Sequence, residues 1–113
     1  MTIHQMQLAS GPFEKIASGK KIIESRLYDE KRQQIDISDQ IDFVCKDEPT
    51  KKVSARVLAL YRYKNFKELF SDFPSEYFGG SSETELSEEI RKFYSEEEQE
   101  KYGVVGIKIQ LEK

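Results

Sequence analysis

Apolar and polar residues alternate at every second position in two long segments of the chain, 52–63 and 102–111. Alternation with this period places one side of a β-strand against a core. The residues expected on the inward sides are Val53, Ala55, Val57 and Ala59 in the first segment and Val105, Ile107, Ile109 and Leu111 in the second. Three shorter apolar segments, at 3–8, 20–27 and 41–45, predict further strands.

Apolar residues spaced three or four positions apart predict helices between these strands. The first helix is expected to begin at Ser10, whose hydroxyl can cap the free backbone amides, and to end at Gly19. Asn65 is expected to cap a second helix. A third helix is expected to begin at about Ser82 or Thr84.

These elements predict an α+β fold of five strands and three or four helices. The last strand must pair with strands that come much earlier in the chain. We therefore expect a small mixed β-barrel, partly closed, with helices covering one end. At 113 residues the chain is long enough for one core and too short for two, so residues 1–113 are expected to form a single domain.

The distribution of charge limits the kinds of partner. The formal net charge is -3, but residues 1–64 carry 12 Lys and Arg against 9 Asp and Glu, whereas residues 65–113 carry 6 against 12. The amino-terminal half can therefore face an anion that the carboxy-terminal half repels. Because proteins that coat duplex DNA neutralise many phosphates, this balance argues against that function and favours a small anionic ligand or a short RNA.

Residues that hold metals or form disulfides are scarce. Cys45 is the only cysteine and His4 the only histidine, so we expect no disulfide, no metal site and no cofactor, with Cys45 as a small buried apolar residue. No apolar segment approaches the roughly 20 residues that span a bilayer, and the amino terminus lacks the pattern of a signal peptide. We expect a cytoplasmic protein, a monomer or a weak dimer, that has no membrane partner.

The strand predicted after Gly19 carries opposite charges at alternate positions. Glu24 and Arg26 share one side of it, while Lys21 falls on the other side by strict alternation. From the corner between helix and strand, the flexible stem of Lys21 can still bring its ammonium group into a cleft on the side of Glu24 and Arg26. A carboxylate and a guanidinium fixed in this way form either a recognition site or an internal ion pair, and the spacing alone leaves both open.

The pattern Gly19-x-Lys21-x-x-Glu24-x-Arg26 resembles the signature of the ASCH domain family, which belongs to the PUA-like superfamily. The closing segment at 102–107 is also similar to the last strand of those domains. The resemblance covers the whole chain, which would then be one ASCH domain. It implies a PUA-like β-barrel in which the signature lines a cleft between barrel and helices, and a ligand that is RNA or a nucleoside or nucleotide.

The resemblance also implies two activities, since some small family members hydrolyse the amide of N(4)-acetylcytidine and others have been assigned ribonuclease activity. The hydrolases are similar to this chain at Gly19, Lys21 and Arg26. They carry a threonine nucleophile, however, where this chain has Glu24, and a carboxylate cannot replace that hydroxyl because the mixed anhydride lies far uphill. Their catalytic glutamate is matched by Glu83. For a hydrolase that activates water, the candidate catalytic residues are therefore Lys21, Glu24 and Glu83.

Aromatic residues complete the candidate ligand site. Tyr28 follows the signature strand and Tyr77 lies in a glycine-rich loop, and each is placed to stack on a base at the edge of a cleft. The expected ligand-binding residues are therefore Gly19, Lys21, Glu24, Arg26, Tyr28 and Tyr77. A protein-interaction module that uses Glu88, Glu96 and Glu97 to hold a basic partner is the alternative that needs no RNA.

Overall fold

The structure is a computed structural model that describes residues 1–112. It contains one curled five-stranded sheet and four α-helices. In chain order the elements are β1 (Ile3–Leu8), α1 (Ser10–Ala17), β2 (Ile23–Leu27), β3 (Gln40–Cys45), β4 (Lys52–Tyr63), α2 (Phe66–Ser71), α3 (Glu83–Arg91), α4 (Glu96–Tyr102) and β5 (Val104–Leu111), with 3-10 turns at Arg32–Gln34 and Ser75–Phe78. These elements confirm the expected α+β class and the small, partly closed barrel.

The two edges of the sheet approach each other because the sheet curls. The strand order is β1, β3, β4, β5, β2, with β1 parallel to β3 and the other neighbouring pairs antiparallel. The edge strands β1 and β2 are connected in sequence by α1. Across the gap, the guanidinium of Arg26 in β2 donates a hydrogen bond of 3.3 Å to the carbonyl oxygen of Gln7 in β1. A side chain therefore joins the two edges of the half-barrel.

The sheet separates two apolar clusters. In β5, the side chains of Val105, Ile107 and Ile109 face the larger cluster, together with the buried side of α1. Leu111 is partly buried against the same cluster, so the predicted inward side of the closing strand is confirmed. Val104 faces the smaller cluster, which contains the apolar sides of α2 and α3. Both sides of β5 are thus covered.

The predicted alternation of β4 holds only as far as Val57. The pairing register with β5 shifts between Val57 and Ala59, which marks a β-bulge. Beyond the bulge, Leu60 lies opposite Ile107 and packs against the larger cluster, so Leu60 takes the inward place that strict alternation assigned to Ala59. The extra residue also turns Arg62 to the inward side of the sheet.

The start of α1 differs from the prediction. Ala9 occupies the N-cap position, and no side chain caps the helix there. The backbone amide and the hydroxyl of Ser10 instead donate hydrogen bonds to the carboxylate of Asp47 in the turn after β3. The predicted cap was wrong because this partner lies far along the chain. The end of the helix was predicted correctly, since Gly19 has a φ of +80°, which glycine adopts without strain.

The later helices begin at side-chain caps. Asn65 and Ser82 accept hydrogen bonds from backbone amides in the first turns of α2 and α3, as predicted, and a reciprocal capping box starts α4. The side-chain oxygen of the buried Gln99 accepts a hydrogen bond of 3.0 Å from the amide of Phe66, which fixes α4 to the start of α2. Within residues 1–112 no helix has both the length and the apolar character needed to cross a bilayer.

Gly106 lies where β5 passes close to α2, and we predict that Gly106→Ala destabilises the protein by about 1–3 kcal/mol. An added Cβ would lie 2.9 Å from Cδ1 of Leu69 and 3.1 Å from Cγ2 of Ile23, and both residues are buried. The matched control is Gly11→Ala in α1, where no atom lies within 4 Å of the added carbon and a neutral or stabilising effect is expected. Urea denaturation of both variants measures the difference, and equal stability would contradict the close packing at Gly106.

Candidate functional site

Glu24 and Arg26 point toward the curled side of the sheet. They lie opposite Ile107 and Val105 of β5, and directly paired residues of neighbouring strands face the same side. Since Ile107 and Val105 belong to the larger apolar cluster, the two charged side chains lie at the edge of that core. The prediction that Glu24 and Arg26 share one side of the strand is confirmed.

Lys21 reaches the same carboxylate from the turn between α1 and β2. The strand begins at Ile23 rather than Lys20, so alternation does not apply to Lys21, and its predicted position on the opposite side is wrong. The amide of Lys21 donates a hydrogen bond of 2.9 Å to the carbonyl oxygen of Lys15, which holds the turn against the end of the helix. From this position its Nζ lies 2.6 Å from Oε1 of Glu24.

Arg26 holds the other oxygen of the Glu24 carboxylate. Its Nε donates to Oε2 of Glu24 at 2.8 Å, and its Nη2 donates to the carbonyl oxygen of Gln7 at 3.3 Å. Both carboxylate oxygens of Glu24 therefore contact a cation. We call the three side chains of Lys21, Glu24 and Arg26 the signature cluster; it combines two cationic side chains with one carboxylate.

Burial and the neighbouring cations act in opposite directions on the Glu24 carboxyl. The side chain is 4% exposed, and burial alone would raise its pKa because the ion loses hydration. The charges and hydrogen bonds of Lys21 and Arg26 outweigh burial and hold the pKa of Glu24 below its ordinary value of 4.5. Burial would likewise lower the pKa of Arg26, but the charge of Glu24, with a contribution from Tyr94, raises that pKa above its ordinary value. Glu24 and Arg26 are therefore both ionised at neutral pH.

Tyr28 and Arg62 extend the charged surface next to the signature cluster. Val105 pairs with Arg26 on one side and with Arg62 on the other, so the two guanidinium groups face the same side of the sheet. The guanidinium carbon of Arg62 lies 4.0 Å from the centre of the Tyr28 ring, which is a cation–π contact. Among residues 1–112, Arg62 forms no ion pair.

A cavity of about 1030 Å³ lies beside Tyr28 and Arg62, and we call it the large cavity. Its wall consists of the end of β4, the turn leading into α2, parts of α3 and α4, and the start of β5. Of the predicted ligand-binding residues, Tyr28 lines this cavity, whereas Lys21, Glu24 and Arg26 do not. The contact between Tyr28 and Arg62 is therefore part of the cavity wall, on the side where Val105 pairs with both Arg26 and Arg62.

Gly19 and Tyr77 line a separate cavity of about 580 Å³. The carbonyl oxygen of Tyr77 accepts a hydrogen bond of 2.9 Å from the amide of Ile22, so the loop that carries Tyr77 lies against the turn before β2. An added Cβ at Gly79 of this loop would lie 3.3 Å from Cβ of Lys21. The loop packs closely on the signature turn, and the two predicted aromatic residues line different cavities.

Glu83 is the first residue of α3 and is exposed. The hydrogen bonds and ion pairs of Lys21 and Glu24 that involve residues 1–112 do not include Glu83, so the convergence of the three stays a prediction. A carboxylate whose two oxygens are held by cations, and whose pKa is lowered, is a weak proton acceptor. The chemistry of the signature cluster therefore favours holding an anion over removing a proton.

The single histidine and the single cysteine make contacts that stabilise the fold. Nε2 of His4 lies 2.8 Å from Oδ2 of Asp39. The hydrogen bond with His4, followed by those from the amides of Asp36 and Thr2, lowers the pKa of Asp39 to about 2. Cys45 is buried in the larger apolar cluster, as predicted. In the part of the chain that the structure describes, no group of three or more His, Cys, Asp or Glu side chains could hold a metal ion.

Sequence reasoning missed the cations that surround the large cavity, which are Arg62, Lys64, Lys67, Arg91 and Lys101. Strict alternation grouped Arg62 with the outward residues of β4, and only the bulge turns it inward. Arg91 and Lys101 come from separate helices that no local pattern connects. The signal that could have found three of them is the segment 61–67, Tyr-Arg-Tyr-Lys-Asn-Phe-Lys, in which basic and aromatic residues alternate.

Because the folded-state pKa of Glu24 is lowered, its ionisation stabilises the fold at neutral pH, and this stabilisation is lost as the pH falls below about 4.5. We predict that Glu24→Gln lowers the free energy of unfolding by about 3–5 kcal/mol at neutral pH, since two partly buried cations lose their partner. The deficit relative to wild type should shrink in acid. Urea denaturation at neutral and acidic pH measures it, with the exposed Glu30→Gln as control. A deficit that stays constant with pH would contradict an ionised Glu24.

Two solved structures are similar to this chain in sequence and length. The crystal structure of protein PH0355 is 39% identical, with a TM-score of 0.87, and the match covers 98% of this chain and 100% of that one. The solution structure of PF0455 from Pyrococcus furiosus is also 39% identical, with a TM-score of 0.77, and the match covers 97% of each chain. Such identity over the full length shows a common family.

A third structure shares the fold at lower identity. ASCH from Zymomonas mobilis has a TM-score of 0.68 at 16% identity, and the match covers 96% of this chain and 67% of that one. Two mutants of the same protein give a TM-score of 0.71. No protein-family model and no curated protein sequence matches this chain. The chain therefore belongs to one family with PH0355 and PF0455, and it has the fold of ASCH from Zymomonas mobilis.

Proposed function

We propose that the protein binds a nucleotide, or the terminal nucleotide of a short single-stranded RNA, at the surface formed by the signature cluster with Tyr28 and Arg62. We call this surface the nucleotide site. It brings together three cationic side chains and one carboxylate in a chain whose net charge is -3. This local excess of positive charge is the observation that carries the proposal, because a phosphate is the anion that a nucleotide presents.

The cations of the nucleotide site are held in place without a ligand. Lys21 and Arg26 are fixed by Glu24, and their side chains are only 13% and 14% exposed. Charges in such positions act through a lower effective dielectric constant than charges in water, so they attract an anion more strongly. The hydrogen bonds of Arg26 to Glu24 and Gln7 use Nε and Nη2, and Tyr94 also interacts with its guanidinium.

Tyr28 supports the flat guanidinium of Arg62, on which a base can stack. Its ring packs partly buried against the larger apolar cluster, and the contact with Arg62 at 4.0 Å fixes the orientation of both side chains. Bases stack on aromatic rings and on guanidinium planes alike. A base stacked in this way typically gains about 1–3 kcal/mol. Since every base has a flat face, we expect strong dependence on phosphate and weak preference among bases.

The resemblance of residues 19–26 to the ASCH signature supports the same class of ligand, because it implies RNA or a nucleoside or nucleotide. Within that signature, Glu24 replaces the threonine nucleophile of the amide-hydrolysing members. Its carboxylate contacts Lys21 at 2.6 Å and Arg26 at 2.8 Å. The substitution exchanges a nucleophile for a group that positions two cations.

Binding is proposed in preference to hydrolysis of N(4)-acetylcytidine because of the state of Glu24. A general base must accept a proton from water, whereas both oxygens of Glu24 already contact cations and its pKa is lowered. Glu83, the second candidate for proton transfer, is exposed at the start of α3. A ribonuclease reaction needs the same kind of proton transfer, so the geometry favours electrostatic binding over both reactions.

We predict that Arg26→Ala and Arg62→Ala each weaken the binding of uridine monophosphate by roughly 10- to 100-fold, the loss expected for one charge-assisted hydrogen bond. Uridine, which lacks the phosphate, should be affected much less. Isothermal titration calorimetry with both compounds measures the effect. The matched control is Arg56→Ala on the same strand, because the Arg56 guanidinium is exposed and paired with Glu112 at 3.0 Å.

If Arg26→Ala does not fold, Arg62→Ala still tests the proposal. Arg62 forms no ion pair with a carboxylate of residues 1–112, so its removal leaves no buried charge without a partner. Unchanged affinity for the monophosphate in Arg62→Ala would contradict the nucleotide site. Release of cytidine from N(4)-acetylcytidine by the wild type, abolished in Lys21→Ala, would show that the site is catalytic instead. Chromatography of the reaction mixture detects that release.

A further inference from the structure

Five cations without ion pairs line the large cavity. They are Arg62, Lys64, Lys67, Arg91 and Lys101, and all five residues are exposed. Within residues 1–112, none of them has a carboxylate oxygen within 4.0 Å. Their positive charge is therefore available to a ligand that enters the cavity.

Outside the cavity, exposed cations are of both kinds: Lys20, Lys31 and Lys46 form no ion pair within residues 1–112, and others do. Lys51, Lys52 and Arg56, which do not line the cavity, each have a carboxylate at 3.0 to 3.8 Å. Carboxylates are present in the cavity wall as well, at Glu68, Glu96 and Glu100. These three also form no ion pair with the cations around them, within the described residues. The arrangement keeps cations and carboxylates apart and leaves the cations in excess.

Aromatic rings accompany the cations at the side of the cavity that meets the nucleotide site. Arg62 lies over Tyr28 at 4.0 Å, and Nζ of Lys101 lies 5.1 Å from the centre of the Tyr102 ring. The amide of Tyr28 donates a hydrogen bond of 3.0 Å to the carbonyl oxygen of Gly103, the residue after Tyr102. The two cation–aromatic pairs are therefore neighbours, and they form one surface that leads from the nucleotide site into the large cavity.

The size and surroundings of the large cavity suit a chain better than a single nucleotide. Pockets for one small ligand usually have about 300–1,000 Å³, and this cavity adds about 1030 Å³ beside the nucleotide site. Glu83, Glu88 and Glu89, which belong to α3 but do not line the cavity, are exposed. These carboxylates disfavour a phosphate on that side of α3, whereas the cavity wall, with five cations against three carboxylates, attracts one.

We infer that the large cavity holds the phosphate backbone of a single-stranded RNA several nucleotides long, whose terminal nucleotide occupies the nucleotide site; this inference rests on the proposed function. The substrate class is then an RNA strand and not a free nucleotide. Phosphates contact the unpaired lysines and arginines, and a second base stacks on Tyr102. Cations interleaved with aromatic rings bind single strands with little regard to sequence, and the affinity depends strongly on salt.

The test compares two double variants that remove the same charge. Lys64→Gln/Lys101→Gln removes two cations of the large cavity, and Lys31→Gln/Lys46→Gln removes two exposed lysines that do not line it. Fluorescence anisotropy measures the affinity for labelled oligouridylates of roughly four to sixteen nucleotides over a range of salt concentrations. Calorimetry measures the affinity for uridine monophosphate.

We expect oligouridylates to bind more tightly than the monophosphate, with an affinity that falls steeply as salt rises. In the cavity variant, the fall of log affinity with log salt should be shallower by about 1.4. Each phosphate of a single strand that a cation no longer neutralises reduces the steepness by about 0.7. The affinity of the cavity variant for the monophosphate should equal that of wild type. In the control variant, the steepness should differ from that of wild type by less than about 0.7, which is half of the change expected for the cavity variant.

Several results would overturn the inference. Equal losses of affinity in the two double variants would mean that only overall charge matters, and equal affinity for monophosphate and oligouridylates would mean that no strand enters the cavity. Competition by a polyglutamate peptide as effective as that by an oligouridylate would assign the cavity to acidic peptides. If neither the monophosphate nor the oligouridylates bind to wild type, the proposed function fails together with this inference, whereas binding of the monophosphate alone leaves the nucleotide site intact.

Discussion

The ionised carboxylate of Glu24 is the group around which the edges of the sheet are organised. It ties the turn after α1 to the edge strand β2 through Lys21, and it orients Arg26 so that the guanidinium also reaches the backbone of Gln7 in β1. The gap between the two edge strands is thus bridged by charge-assisted contacts instead of backbone pairing. Such contacts depend on all members being present, because a partly buried charge without its partner is costly.

The same group links stability with recognition. The spacing of Glu24 and Arg26 left open whether they form an internal ion pair or a recognition site, and these roles are compatible when a second cation is present. The single carboxylate of Glu24 neutralises only part of the positive charge of Lys21 and Arg26. The signature cluster therefore stabilises the fold and still attracts anions. Arg62 adds to that attraction without disturbing the ion pair, because it rests on Tyr28.

A structural feature could be predicted from the sequence when residues next to one another in the chain determine it. The closing strand was predicted because alternation is a property of neighbouring residues, and the helix end at Gly19 because one residue type favours that backbone conformation. The cap of α1 depends on Asp47, and the place of Lys21 depends on where the strand starts. Both are decided by contacts between distant segments. Arg91 and Lys101 of the large cavity escaped for the same reason, since they join the other cations only when α3 and α4 pack.

The bulge in β4 has a consequence for comparing other members of this family. The strand contains one residue more than regular pairing with β5 requires, and the bulge after Val57 absorbs it. In a relative with one residue fewer in this segment, the strand would pair regularly and the counterpart of Arg62 would still face the side of Arg26. In a relative of equal length without a bulge, the same arginine would face α2. The pairing register of this strand with β5, and not the arginine alone, decides whether a relative can carry the same ligand surface.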